Sequence, residues 1–351
     1  MTNVLVHASK HYWVRIGSGV LSDLGEQAKA CMRGNTAVIV SDSNVWPIYG
    51  DATQKSLEKS GFFVRFFLIP AGEASKNAEN YLSLLNFLAE NHITRADFLV
   101  ALGGGVVGDL CGFAAATYLR GIDYIQIPTS LLAMVDSSVG GKVAIDLPTG
   151  KNLVGAFYQP KFVLCDISLL RSLPEKDFLD GCAEVIKYAV GFDERLFSHL
   201  QEYGTQFDLE WVITRCILCK RKVVEQDEFD NGQRKLLNLG HTFGHSIEAE
   251  SHFAISHGQA VAIGIAMAAR CAAKNKICNA NTMALILKLL EQFRLPTQAP
   301  YAAPVLAGHA LSDKKRESDK ITLILPATIG CAKALPIDIF MLESYFEAGS
   351  L

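Results

Sequence analysis

Four of the nine histidines, His241, His245, His252 and His257, fall in the stretch 241–257. His241 and His245 stand four apart in LNLGHTFGHSIE (237–248), so on a helix they share one face. Upstream, Glu184 and Lys187 in AEVIKY share a helix face at i,i+3. Two imidazoles and a carboxylate leave a divalent cation with an open position, the arrangement of a catalytic rather than a structural zinc site. Spacing favours Glu184, His241 and His257 as the ligands, with His245 as a general acid/base beside them. The i,i+4 pair His241/His245 could equally chelate a metal, and a histidine taken singly is more often a satisfied core or surface imidazole. His252, beside a turn, reads as surface.

A second set of residues suits anions. Gly103-x-Gly105-x-x-Gly108 follows the apolar run 98–102, which is the dinucleotide fingerprint. Its glycines let backbone N–H groups approach a pyrophosphate at a helix N-terminus, although a tight strand–helix turn would also need glycine. Asp123 precedes the next strand, so Asp42, ending an earlier one, is the better partner for a ribose. Asp109 suits either the nicotinamide end or the first turn of a helix. Asp136-Ser-Ser-Val-Gly-Gly-Lys142 and Gly150-Lys151-Asn152 form a nest for phosphate or carboxylate. The P-loop spacing is absent, which argues against an NTPase. Arg120, Lys220 and Arg234 are further cations, set among charges that mostly read as solvated surface. Cys216 and Cys219 match C-x-x-C, but with no second pair in a helical run they read as helix, not as a metal or redox site.

The chain has room for two domains to position these groups: 351 residues, half of them hydrophobic. A net charge of -3 gives no case for nucleic acid. Scattered cysteines and no charged-then-apolar leader point to a reduced, cytoplasmic protein, and no run suits a membrane span. Strands at 12–16, 37–41, 62–68, 98–102, 124–127 and 162–164 alternate with helices at 22–32, 51–60, 77–91 and 106–118. This predicts a Rossmann-like α/β nucleotide-binding domain over 1–172 with a doubly wound parallel sheet. Residues 173–351 then read as an all-helical metal- and substrate-binding domain, with helices at 174–190, 193–201, 208–229, 234–251, 256–275, 280–292 and 336–348 and a lone strand signal at 321–325. Gly240 and Gly244 are expected inside helix 234–251, where each costs about 1 kcal/mol against alanine unless a close neighbour needs the space. Ser256-x-x-Gln259 predicts a capping box that holds His257 in a first helical turn.

AGEASK (71–76), GGGVVGD (103–109), YLRG (118–121), PTSLLAMVDSSVGGK (128–142), GKNLVGAFYQP (150–160), AEVIKY (183–188), LLNLGHTFGHSIE (236–248), SHGQAV (256–261) and DKK (313–315) together resemble the 3-dehydroquinate synthase family of sugar phosphate cyclases. The resemblance covers nearly the whole chain. It implies a homodimer that binds NAD and a divalent metal, zinc or cobalt, and makes 3-dehydroquinate from a heptulosonate phosphate. It puts the metal on Glu184, His241 and His257. It lines the NAD site with Asp42, Asn44, Glu73, Lys76, Gly105, Val106, Val107, Gly108, Asp109, Thr129, Ser130, Lys142, Lys151, Leu169, Leu170, Arg171 and Ser172. Lys142, Asn152, Lys315 and, across the dimer, Arg120 would hold the substrate phosphate, and Lys220 and Arg234 its carboxylate. Asp136, Lys187, Asn238 and His245 would complete the catalytic pocket. The chain departs from the family pattern at 143–146, at Gln259 and at Ala71. Two alternatives stay in view. A 2-deoxy-scyllo-inosose synthase acts on a substrate without a carboxylate, so it would not need both Lys220 and Arg234. A metal-dependent polyol dehydrogenase of the glycerol dehydrogenase type would release reduced cofactor.

Overall fold

The computed structural model describes residues 1–312 and 319–350. By internal contacts the chain divides into two compact units. One comprises Met1–Pro174 with Lys220–Phe229, the other Glu175–Cys219 with Asp230–Leu351.

The first unit contains strands β1 (Thr2–His7), β2 (His11–Gly17), β3 (Thr36–Asp42), β4 (Phe63–Ile69), β5 (Phe98–Gly103), β6 (Asp123–Pro128), β7 (Lys142–Leu147), β8 (Gly150–Phe157) and β9 (Phe162–Asp166). Helices α1 (Leu24–Cys31), α2 (Trp46–Lys59), α3 (Ala78–Glu90) and α4 (Gly105–Thr117) connect them. Seven strands form one sheet in the order β1-β2-β9-β6-β5-β3-β4. Only the β1/β2 pair is antiparallel. Central strand β5 is buried along its whole length, which is why FLVALG shows no polar alternation. Edge strand β4 exposes Phe63, Phe66 and Leu68.

Lys142 and Gly150-Lys151-Asn152, read from the sequence as parts of an anion nest, lie within 142–157. The structure makes that stretch an antiparallel hairpin, β7 against β8. Val143 and Ile145 pack on Phe113 of α4, and a Cβ at Gly112 would lie 2.4 Å from Val143. That packing gives β7 a buried face that no local pattern announces.

The second unit holds α5 (Glu175–Phe192), α6 (Glu194–Tyr203), most of α7 (Leu209–Gln226), α8 (His241–Glu250), α9 (His257–Lys274), α10 (Ala280–Gln292), α11 (Ala303–Ser312) and α12 (Leu342–Ser350). The expected all-helical character gains one exception, the hairpin β10 (Lys320–Thr328) with β11 (Cys331–Asp338). Pro336 sits in β11, where a two-stranded ribbon leaves its missing N–H free of cost.

Two local expectations are corrected. The helix predicted over 234–251 is broken into a 3-10 turn, Gln233–Asn238, and α8, because Gly240 takes a left-handed φ of 79° before His241. Gly240 is therefore the N-cap of α8 and not an interior residue. The proposed capping box does not form: Ser256 makes no side-chain cap, and its Oγ donates to Asp180 Oδ1 at 2.7 Å.

Glycines let α8 and α9 touch backbone to backbone. A Cβ at Gly264 would lie 2.0 Å from the Gly240 carbonyl oxygen, and one at Gly244 2.9 Å from that of Ala260. Among the described residues no helix is long and apolar enough to cross a membrane. Gly264→Ala should therefore destabilise the protein by about 1–3 kcal/mol, since the overlap is with backbone that cannot rotate away. A lowered midpoint of urea unfolding would show this, and an unchanged midpoint would refute the close packing.

Candidate active site

Helix α5 is buried from 181 to 191, so its acid and its lysine there, Glu184 and Lys187, lie in the interior. Glu184 and Lys187 are each 1% exposed, and they pair at 2.5 Å. Two histidines from other helices meet the same carboxylate. His257 Nε2 lies 3.1 Å and His241 Nε2 3.5 Å from Glu184 Oε1. One ligand atom from each of Glu184, His241 and His257 falls within 4.8 Å of the others, a group able to hold a metal ion.

Local packing delivers each ligand. Asp180 is one turn before Glu184 on α5 and accepts from Ser256 Oγ. Gly258 lies so close to Asp180 that a Cβ there would be 2.3 Å from its carbonyl oxygen. This seats the first turn of α9, and His257 with it, beside Glu184. On α8, the Nδ1 of His241 lies 3.2 Å from the Leu239 carbonyl. Only an Nδ1–H can bond there, which leaves Nε2 turned toward Glu184.

Burial opposes the charge on Glu184, but Lys187 and His241 beside it hold its carboxyl well below the usual range. Burial also works against a charged His257, yet hydrogen bonds to Glu184 and Glu248 outweigh it and raise the imidazole to about 10. An ionised carboxylate and two Nε2 donors are the chemistry of a divalent transition metal, provided the His257 proton leaves. His245 is not a member of this group, although its ring lies 5.3 Å from that of His241, about as near as the His257 ring at 5.5 Å.

The first unit gathers a different set. Gly104 precedes α4 with no side-chain cap, so the first-turn amides of Gly105, Val106 and Val107 suit an anion. Thr129 is tied by its N–H to the Gly103 carbonyl at 3.0 Å, and Ser130 Oγ accepts from Ala133 N–H at 3.3 Å. Lys76 is the hub of a carboxylate cluster, with Nζ 2.8 Å from Glu73, 3.4 Å from Asp109 and 3.7 Å from Asp146. Lys151 Nζ adds a cation 4.0 Å from Glu73. Burial pushes Asp109 up to about 6, with Lys76 offsetting part of the effect. Burial alone would lower Lys76, but Asp109 and Glu73 raise it above its ordinary value. Sequence reasoning noted Asp146 only as part of a departure from the family pattern. Its signal is the isolated bridge to Asn77 that brings β7 to the start of α3.

Asp42 spends Oδ1 on the N–H groups of Asn44 and Val45, at 2.8 and 3.0 Å, so a ribose hydroxyl would meet its other oxygen. Leu169, Leu170, Arg171 and Ser172 form a 3-10 turn pinned by Tyr49, whose hydroxyl donates to the Leu169 carbonyl at 2.9 Å and meets Ser172 Oγ at 2.6 Å. Leu169 and Leu170 are buried and Arg171 is exposed.

The expected substrate ligands are spread out. Asp136 lies in a π-helical turn, Ala133–Ser137, a distortion that often marks function. Lys220 Nζ donates to both the carbonyl, at 2.7 Å, and the carboxylate of Asp136. Arg234 is buried and Asn238 half-buried, both in the 3-10 turn before α8. Lys142 is exposed opposite Phe157, whereas Asn152 lies past the Ile145–Val154 pair, its N–H donating to Asp146 Oδ1 at 2.7 Å. The hairpin thus separates Lys142 from Asn152 along its length and does not bring them side by side. Leu119 and Arg120 are exposed with left-handed φ values of 50° and 68°. Lys315 lies outside the described residues. Cys216 and Cys219 are not joined by a disulfide, and Cys219 Sγ approaches Asp193 at 3.9 Å.

Two family profiles match in succession, 3-dehydroquinate synthase N-terminal over residues 66–180 and 3-dehydroquinate synthase C-terminal over 181–316. The chain belongs to the 3-dehydroquinate synthase family. The 3-dehydroquinate synthases of Rippkaea orientalis and Clostridium acetobutylicum are each 42% identical to it, over 93% and 91% of this chain and 92% and 91% of theirs. Solved structures share the fold at lower identity. A 2-deoxy-scyllo-inosose synthase complexed with carbaglucose-6-phosphate, NAD+ and Co2+ is 24% identical, with a TM-score of 0.88 over the whole of both chains. The glycerol dehydrogenase of Schizosaccharomyces pombe is 15% identical, with a TM-score of 0.68 over 99% of this chain and 90% of that one. The chain is accordingly an enzyme of the 3-dehydroquinate synthase family, and the inosose synthases and polyol dehydrogenases share only its architecture.

Since His257 has a value of about 10 against an ordinary 6.5, the metal-free imidazole is charged at neutral pH. A binding cation must expel that proton, so affinity should rise about tenfold per pH unit while the pH stays below about 10. Titration calorimetry in two buffers of different ionisation enthalpy should find close to one proton released per Zn²⁺ bound at neutral pH. Release near zero would contradict the ligand set.

Proposed function

We propose that this enzyme converts 3-deoxy-D-arabino-heptulosonate 7-phosphate to 3-dehydroquinate and phosphate, with NAD and one divalent cation, zinc or cobalt, as resident groups. The observation that carries the proposal is the convergence of Glu184, His241 and His257 in a chain of this family. Two fold neighbours support the cofactor pair: the inosose synthase solved with NAD+ and Co2+, and a 2-epi-5-epi-valiolone synthase of Streptomyces hygroscopicus with NAD+ and Zn2+, 24% identical with a TM-score of 0.88 over 99% of this chain and 98% of that one.

When bound, NAD supplies a hydride acceptor that returns what it takes, and the cation supplies Lewis acidity that eases deprotonation of a substrate hydroxyl. The protein's own groups do the rest. Glu184, His241 and His257 hold the cation, and His245 carries the proton taken from that hydroxyl. Lys187 balances the buried charge of Glu184. The amides of 105–108, with Thr129 and Ser130, receive the NAD pyrophosphate. Asp42 and Asn44 receive a ribose, and Glu73, Lys76 and Asp109 the nicotinamide end, with Lys142, Lys151 and 169–172 completing the lining.

The substrate is anionic at both ends, so it needs two cationic grips. Lys220 and Arg234 take its carboxylate. Lys220 then exchanges Asp136 for substrate, which leaves the Asp136 carboxylate, with Asn238, to accept or donate at the sugar hydroxyls. Lys142 and Lys315 hold the phosphate, joined by Arg120 from the second subunit of a homodimer, while Asn152, further along the hairpin, stands outside this grip. Oxidation of one carbinol to a ketone acidifies the adjacent C–H, phosphate leaves by elimination, the ketone is reduced again, and the opened ring closes by an aldol addition. The grips keep one orientation through these steps.

Purified protein supplied with NAD, Zn²⁺ and the heptulosonate phosphate should release one phosphate per substrate with no net NADH. Accumulating NADH without phosphate would identify a polyol dehydrogenase instead. The dimer reading has its own check. Arg120→Ala and His257→Ala should each be inactive alone, and mixed subunits should regain activity, because one site per mixed dimer then has both residues. Failure to complement would place Arg120 in its own subunit's site.

A further inference from the structure

We propose that Glu248 is the positioning carboxylate of the metal centre, fixing the ring of His257 so that its Nε2 lone pair meets the cation. This rests on the metal reading of Glu184, His241 and His257.

Glu248 follows His241 by seven residues and His245 by three, so all three lie on one stripe of α8. Its side chain is 5% exposed, and Oε2 lies 3.4 Å from Nδ1 of His257. The two nitrogens of His257 thus face carboxylates from two helices, Glu184 on α5 through Nε2 and Glu248 on α8 through Nδ1. The metal-holding group is on the Nε2 side, because His241 Nε2 approaches Glu184 and not Glu248. Glu248 is left to accept from Nδ1–H, which sets the tautomer and makes Nε2 a stronger donor. The two histidines are held unequally: His241 has a neutral carbonyl behind it, that of Leu239, while His257 has a charged carboxylate. Gln259 cannot serve in this role. Two residues along α9 turn its side chain by about 200° from that of His257.

The test compares Zn²⁺ affinity, by competition with a chromophoric chelator, in the metal-stripped and reloaded full-length protein. His257→Ala should abolish binding at the site, which checks the underlying reading. Glu248→Ala should weaken Zn²⁺ binding about 10–100-fold, with saturating Zn²⁺ restoring turnover. Glu248→Gln, which keeps an acceptor without the charge, should fall between wild type and Glu248→Ala. Gln259→Glu should leave affinity unchanged. The visible spectrum of the Co²⁺-loaded protein should shift in Glu248→Ala and stay unmoved in Gln259→Glu. Unchanged affinity and spectrum in both Glu248 variants, with His257→Ala still defective, would overturn the role of Glu248. Unchanged affinity in His257→Ala would overturn the metal reading itself. If Glu248→Ala fails to fold, the near-isosteric Glu248→Gln decides alone, and wild-type affinity there overturns the proposal.

Discussion

A carboxylate at 1% exposure governs the second unit. Glu184 has lost nearly all its hydration, and an ion so placed persists only if charge and hydrogen bonds replace water. Lys187 from the same helix supplies the charge, and His241 and His257 from α8 and α9 supply the donors. Three helices must therefore meet at one atom. The glycines follow from that requirement: Gly258 lets α9 settle on Asp180 one turn from Glu184, and Gly240, Gly244 and Gly264 let α8 and α9 pack backbone to backbone. Removing space at these positions would move a histidine, so small residues with no reactive group hold the chemistry in register.

The first unit solves a related problem with the opposite excess. Around Lys76 stand Glu73, Asp109 and Asp146, three carboxylates for one ammonium. Burial raises Asp109 to about 6 even beside Lys76, so this corner carries more negative charge than it can comfortably ionise. Lys151, reaching Glu73 from the β7–β8 hairpin, eases the imbalance. A hairpin, a loop before α3 and the second turn of α4 are linked through these side chains. The amides at the start of α4 stay free of a capping side chain beside them.

Much of this was legible from the chain. The alternation of apolar strands and helices through β9 reflects short strands buried on both faces and period-3.6 burial on helices, and the glycine turn after β5 sits where the motif implies. Helix α10 matches its expected span of 280–292 because its cap, Asn279, and its apolar face are both local features. The misses share a cause. The β7–β8 hairpin is held by its packing on α4, and β11, whose end is expected from sequence to open helix 336–348, is held by pairing with the expected strand β10. The break at Gly240 arises from α9, some twenty residues on, and Ser256 turns from its own helix to Asp180, 76 residues away. In each case a tertiary contact overrides a local preference of about 1 kcal/mol.

The sequence by itself determined the residue types available, their periodicity and the family, because those depend on chemistry and spacing along one chain. Only the tertiary structure decided which histidine stands with Glu184. His241 and His245 share a helix face, so spacing treats them alike, and their difference appears only when α5 and α9 pack against α8. Glu184 and His257 are 73 residues apart in sequence and their facing atoms lie 3.1 Å apart, a distance set by helix packing and invisible to any local pattern. Glu248 went unnoticed for the same reason: on the sequence it ends a histidine motif, and in the fold it stands behind the imidazole of another helix.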